Sequence, residues 1–171
     1  VHSGHAVVCD ASGDIVQAWG NPDAVVLPRS SSKMLQALPL IESGAADTHA
    51  LSSEYLALAC ASHQGAAIHT DRVAPWLEHL ELTDDAFRCG PQMPNDRDAR
   101  YALIRAHERP CQIHNNCSGK HAGFLTLNKH LGGGADYELI DHPVQVAIKA
   151  AFEEVTDEAS PRHAIDGCSA P

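Results

Sequence analysis

Apolar positions along the chain change their period several times, and each change marks an element. Residues 5–10 (HAVVCD) and 15–20 (IVQAWG) are short apolar runs rich in valine, isoleucine and tryptophan, separated by ASGD. Run, turn and run predict a β-hairpin. Residues 33–43 (KMLQALPLIES) put Met34, Leu38 and Ile41 at helical spacing with Leu35 beside them, and Gly44 follows as a stop. Residues 52–60 predict a second helix, capped by Ser52 or Ser53, and residues 69–80 a third. DDAF, residues 84–87, starts a short one. GPQMPNDRD, residues 90–98, has the composition of a loop, and residues 99–107 are helical again. HAGFLTLNKHL, residues 121–131, is a helix stopped by the glycines at 132–134. Residues 142–155 form the last, with Pro143 at its start. A hairpin feeding several amphipathic helices predicts an α/β plan.

Composition narrows the class. The chain has 171 residues, 44% hydrophobic and 20% charged, which is enough for one domain with a core. The net charge is −10 and no Lys/Arg cluster breaks it, so neither nucleic acid nor an anionic membrane is expected as a partner. No apolar run approaches the roughly 20 residues of a membrane span. The six cysteines, at 9, 60, 89, 111, 117 and 168, are spread out. That distribution fits reduced thiols better than a disulfide framework. With no signal-peptide pattern at the start, a cytoplasmic setting is expected.

Four segments carry candidate chemistry. The first is PRSSSK, residues 28–33. Proline and serines ahead of an apolar run are ordinary helix-start residues. Two features point further. Lys33 stands in the first turn, where the helix dipole disfavours a cation. Ser30 and Lys33 have i, i+3 spacing, which sets both on one face, whereas Ser31 and Ser32 lack it. A partly buried lysine beside Arg29 loses its proton more readily, and its amine would then activate Ser30 as a nucleophile. The second segment is ASHQG, residues 61–65. It has the form of a helix C-cap ending in Gly65, with Ser62 as a second hydroxyl and His63 as a ligand or base. The third, NNCSGKHAG, residues 115–123, sets Cys117, Lys120 and His121 at the mouth of a helix, where the dipole and N–H groups lower a thiol pKa. The fourth is DGCSAP, residues 166–171; Asp166 and Cys168, two apart, face the same way in an extended segment. Two thiolates and a third donor have the chemistry of a zinc site. Neither cysteine belongs to a Cys-x-x-Cys pair, so two buried reduced cysteines stand as the alternative.

Taken in this order and at this separation, PRSSSK, SHQG, NNCSGKHAG and DGCSAP, together with QALPLIESGAAD and CGPQMPND, resemble the asparaginase II family of the rhizobial (class 3) type. The resemblance covers nearly the whole chain but about the N-terminal half of a typical member. It implies an α/β fold similar to serine β-lactamases and penicillin-binding proteins, incomplete at the C-terminus. Residues 1–171 would then be a single asparaginase II-type domain, the N-terminal portion of a larger one. It also implies hydrolysis of L-asparagine to L-aspartate and ammonia. Ser30 would be the nucleophile and Lys33 its general base. Ser62 would be a second catalytic serine, paired in the family with a lysine further along the chain. Cys117, Lys120 and Cys168 would bind zinc. Arg29, His63, His121 and Asp166 would contact the substrate, Asp166 orienting it or supporting the metal. The expected partners are the small molecule L-asparagine and a second copy in a homodimer. Other Ser/Lys amidohydrolases, acting on glutamine or penicillins, and a non-catalytic metal- or partner-binding module remain alternative readings.

Overall fold

The hairpin forms where the pattern puts it. In the computed structural model, which describes residues 2–171, β1 (Ala6–Cys9) pairs antiparallel with β2 (Ile15–Trp19). The Asp10 carboxylate holds the turn by accepting the N–H groups of Ser12 and Asp14 at 2.9 and 3.1 Å. Every residue of both strands is exposed, so the hairpin adds nothing to the core. These two strands make a single two-stranded sheet among the described residues, and the rest of the ordered chain is helical. The architecture is mixed helix and sheet. No helix is long and apolar enough to cross a membrane among the described residues.

Residues 33–43, expected as one helix, are divided. A 3-10 turn (Arg29–Ser32) leads into α1 (Lys33–Gln36), and α2 (Leu38–Glu42) follows. Pro39 is the cause: it has no N–H to give the carbonyl four residues back, so the ladder breaks at Ala37 and restarts with proline in the first turn. Gly44, at φ +79°, turns the chain into α3 (Ala45–Thr48). α4 (Ser53–Ala59), α5 (Ala67–His79), a 3-10 turn (Asp84–Ala86) and α6 (Arg97–Ala106) match the expected positions to within two residues. Asp96 caps α6 by accepting the Ala99 N–H at 2.8 Å. A further 3-10 turn (Gln112–His114), α7 (Ser118–Leu131) and α8 (Pro143–Thr156) complete the order.

α7 is the axis of the body. Its residues from Ser118 to Leu127 are all buried, and α2, α3, α4, α5 and α8 pack against it. A helix enclosed all round cannot show an amphipathic stripe. Its start at Ser118, three residues before the apolar run, is therefore not visible in the pattern. Two glycines let α4 approach closely. A Cβ on Gly119 would stand 2.5 Å from the Leu58 carbonyl oxygen, and one on Gly123 would stand 3.2 Å from the Ala59 Cβ. Around this axis Leu40, Val73, Trp76, Phe124, Leu127 and Val144 form the centre of the core. Trp76 gives its indole N–H to Thr126 Oγ1 at 3.0 Å, so its one polar atom is satisfied inside.

Candidate active site

Lys33 is the first residue of α1 and points inward, only 2% exposed. Its Nζ donates to the Ala61 carbonyl oxygen at 2.6 Å, to Ser62 Oγ at 2.8 Å and to the Cys117 sulfur at 3.3 Å. Three acceptors thus meet the donor directions of one buried amine, which is what burial of such a group requires. Ala61 and Ser62 lie just past the end of α4, where helix carbonyls lack partners and the dipole is negative. The family resemblance pairs Ser62 with a lysine further along the chain; in this structure its partner is Lys33.

The serines of PRSSSK divide, though not by a bond from Ser30 to Lys33. Ser31 and Ser32 donate their hydroxyls to the carbonyls of Pro28 and Arg29, at 2.5 and 2.8 Å, and so hold the 3-10 turn. Ser30 is the one whose hydroxyl makes no hydrogen bond among the described residues. It is exposed, its backbone carbonyl accepts the Lys33 N–H, and its side chain is not among the partners of Lys33. Arg29 is exposed too, in a left-handed conformation at φ +51° that costs a non-glycine residue energy. Ser30 and Ser62 therefore present exposed hydroxyls, with the Lys33 amine buried behind Ser62.

The second cluster adjoins the first through Cys117. This residue precedes α7, is 4% exposed, and gives its backbone N–H to Asn115 Oδ1 at 2.8 Å. One helical turn on, Lys120 is buried, with Nζ 3.0 Å from the Cys168 sulfur and 3.6 Å from Asp166 Oδ2. Asp166 Oδ1 accepts the backbone N–H and the thiol of Cys168, at 2.8 and 2.9 Å. The two thiols are tuned apart. The neighbouring Cys168 thiol and the charges of Lys33 and Lys120, acting against burial, lower Cys117 to about 6. The neighbouring Cys117 sulfur and burial push Cys168 up to about 12. Burial would raise Asp166, but the Cys168 hydrogen bonds and the Lys120 charge leave it below the usual carboxylate value.

Among the described residues no group of three or more histidine, cysteine, aspartate or glutamate side chains is arranged to hold a metal ion. A metal at this place would need the Lys120 amine as its third donor. Two thiols, one already biased to thiolate, with that amine 3.0 Å from one of them, have the donor chemistry zinc takes.

The two histidines serve the framework. His63 is 4% exposed. Its Nδ1 accepts the Gly65 N–H at 3.1 Å, and its Nε2 lies 2.9 Å from Ser118 Oγ. Ser118 gives its own proton to the Ile113 carbonyl at 2.8 Å, so Nε2 carries the hydrogen between them. Burial, then the neighbouring His69 and Lys33, lower His63 to about 4, so the ring is neutral. Both ring nitrogens are engaged by the chain. The ring pins SHQG to the start of α7, which is how Ser62 comes to face Lys33. His121 is fully buried, its Nδ1 2.8 Å from Tyr137 Oη. Sequence reasoning missed Tyr137, Ala61 and Asn115. Tyr137 lies in GGGADYELI, where no motif or period marks it. Ala61 acts through its carbonyl, which no side chain announces. Asn115 was legible only as part of NNC; its amide also donates to the Cys89 and Gly90 carbonyls, joining CGPQ to NNCSGK.

Lys33, Ser62, Cys117, Lys120, Asp166 and Cys168 come from four distant parts of the sequence and meet in one place. Comparison with known proteins agrees with the motifs that carry them. A search of curated protein sequences finds no match. The family model of L-asparaginase II matches residues 1–171, and the chain belongs to the L-asparaginase II family.

Proposed function

We propose that the protein hydrolyses L-asparagine to L-aspartate and ammonia through a serine nucleophile served by Lys33, with zinc held nearby by Cys117, Lys120 and Cys168. Membership of the family supports an amidohydrolase acting on a small molecule. The observation that carries the mechanism is the buried Lys33 amine, 2.8 Å from the exposed Ser62 hydroxyl and one turn from the exposed, unbonded Ser30 hydroxyl.

Lys33, after giving up one of the three protons it donates in this structure, takes the proton of Ser30 as Ser30 Oγ attacks the side-chain amide carbon. Backbone N–H groups at the start of α1 stabilise the oxyanion, about 3 kcal/mol for each donor. Collapse breaks the C–N bond, and the proton passes from Lys33 to the departing ammonia. Water then attacks the acyl ester, Lys33 takes its proton, and Ser30 recovers it as aspartate leaves. Ser62 steadies the amine throughout and relays its proton. Arg29, at the rim, and Asp166 bear the charges that match the carboxylate and ammonium of an amino acid. His63 and His121 position the walls. When bound, zinc supplies a fixed positive charge that favours the thiolates and the free lysine amine, and so supports substrate binding beside the reacting groups. The fold similar to serine β-lactamases, the homodimer and the cytoplasmic setting belong to the same reading; six free cysteines support a reducing compartment.

The Lys33–Ser62 bond favours a second reading, with Ser62 as the nucleophile and Ser30 as its aid. Ammonia release from L-asparagine by the purified chain, its Ser30→Ala form and its Ser62→Ala form separates them. Loss of the nucleophile lowers kcat by about 10³-fold or more, and the assisting serine costs less. Parallel assays with L-glutamine and a chromogenic β-lactam test the substrate. Faster turnover of either would replace asparagine in this proposal.

A further inference from the structure

Residues 90–94, inside CGPQMPND, form neither helix nor strand, yet the segment is fastened at both ends. At the first, the Asn115 amide donates to the Cys89 and Gly90 carbonyls at 2.9 and 3.0 Å, and the Gly90 N–H reaches Gln112 Oε1 at 2.9 Å. At the second, Asp96 gives its backbone N–H to the Gln64 carbonyl at 2.9 Å, and the Arg100 guanidinium donates to the Pro94 carbonyl at 2.9 Å. Pro94 is buried against Gly65, where an added Cβ would stand 3.2 Å from the Pro94 Cβ. Pro91 and Pro94 narrow the backbone choices between these ends. A coil segment held this firmly suits a binding residue, because its geometry is fixed before a ligand arrives.

Gln92 stands in the middle of the segment, half-buried. Among the described residues its side chain makes one hydrogen bond, accepted from the Asn116 N–H at 3.1 Å. A backbone N–H is a donor only, so the atom that meets it is Oε1, and Nε2 keeps both of its hydrogens unpaired. The Asn116 peptide leads directly to the proposed site. Its carbonyl accepts the His63 N–H at 3.0 Å, and His63 follows Ser62, whose exposed hydroxyl is 2.8 Å from Lys33 Nζ. The next residue is Cys117, whose sulfur accepts from the same amine. One residue thus separates the Gln92 amide from the groups that Lys33 bonds, and that amide holds two free donors there.

We propose that Gln92 is a substrate-binding residue whose Nε2–H group donates to the α-carboxylate of the amino acid. The inference rests on the reading of the site as that of an asparaginase. Of the three polar groups of asparagine, the ammonium is a donor only and cannot receive Nε2–H. The side-chain carbonyl takes the backbone donors at the start of α1 in the proposed reaction. The carboxylate remains, an acceptor with room for several hydrogens. A neutral amide adds to the charge that Arg29 bears and fixes the orientation of the group, which a charge alone does not.

Gln92→Glu separates the two ends of this amide. It keeps an oxygen for the Asn116 N–H, so the brace on the backbone stays, and it puts an anion where the free donors stood. With L-asparagine, ammonia release should show KM raised about tenfold to a hundredfold, the range for losing a hydrogen bond to a charged group. kcat should stay within about threefold of the parent, the pattern of lost ground-state binding. The rise in KM should be smaller for L-asparagine methyl ester, which lacks the negative charge. Gln92→Glu should melt with the parent, whereas Gln92→Met, which loses the brace as well, should melt earlier. A Gln92→Glu protein with the parent KM would reduce Gln92 to a brace for Asn116 and overturn the inference. So would equal rises for asparagine and its ester, which would move the contact away from the carboxylate. A parent that releases no ammonia contradicts the asparaginase reading instead. Calorimetric titration with L-aspartate, which needs no turnover, then decides the role of Gln92: weaker binding by Gln92→Glu supports it, and equal binding, or none by the parent, overturns it.

Discussion

Spacing set Ser30 and Lys33 on one face, but in the structure the Lys33 amine turns inward to Ser62 and the Ser30 hydroxyl is left exposed and unbonded. The three hydrogen bonds of Lys33 were not legible. They run to residues 28, 29 and 84 positions away, and no local pattern encodes a contact of that separation. His63 shows the reverse: a histidine in a motif invites a catalytic role, yet both nitrogens are spent on Gly65 and Ser118. That burial has a consequence for pH. His63 falls from an ordinary 6.5 to about 4 in the folded protein. The unfolded chain therefore binds the extra proton first. Stability from this group is intact above pH 6.5 and is lost as pH falls from there toward 4. The loss approaches about 3 kcal/mol at the acid end. Urea unfolding between pH 7 and pH 4 should show a steeper decline for the parent than for His63→Asn. Parallel declines would mean that His63 is charged in the native state.

Among the elements, α7 and the glycines of its buried face decide how close the two clusters come. NNCSGKHAG looked chemical because of its cysteine, lysine and histidine. Gly119 matters as much, because only a bare Cα lets the Leu58 carbonyl approach. Gly119→Ala should destabilise the protein by about 1–3 kcal/mol through overpacking. Gly134 is the control: it is exposed, and a Cβ there would meet nothing within 4 Å, so Gly134→Ala should stay within about 0.5 kcal/mol. Denaturant midpoints check both, and equal effects would refute the packing argument. Most helices could be read from their periods because each has a solvent side, and the hairpin from its two apolar runs and the turn between them. α7 has none over ten residues, and the break before α2 depends on one proline inside an otherwise continuous pattern.

Over the whole molecule, one charged core joins two sites. Lys33 bonds both to Ser62 and to Cys117, so the serine site and the thiol site share a side chain. The four motifs predicted that these segments meet; they could not say that Lys33 is the joint. Zinc that binds the folded chain alone stabilises it by mass action, about 2.7 kcal/mol at a hundred times the dissociation constant. A rise of melting temperature with zinc, abolished in Cys117→Ser and Cys168→Ser, is expected; a rise that survives both would place the ion elsewhere. The central claim is that the buried Lys33 amine drives an amidohydrolase. The measurement that tests it most directly is ammonia release from L-asparagine by the parent chain and by Lys33→Met, which keeps the length of the side chain and removes its proton acceptor. Turnover by the parent and a fall of about 10²- to 10⁴-fold in the variant, the range for loss of general base catalysis, is the predicted result. A Lys33→Met protein that folds and releases ammonia at the parent rate would contradict it.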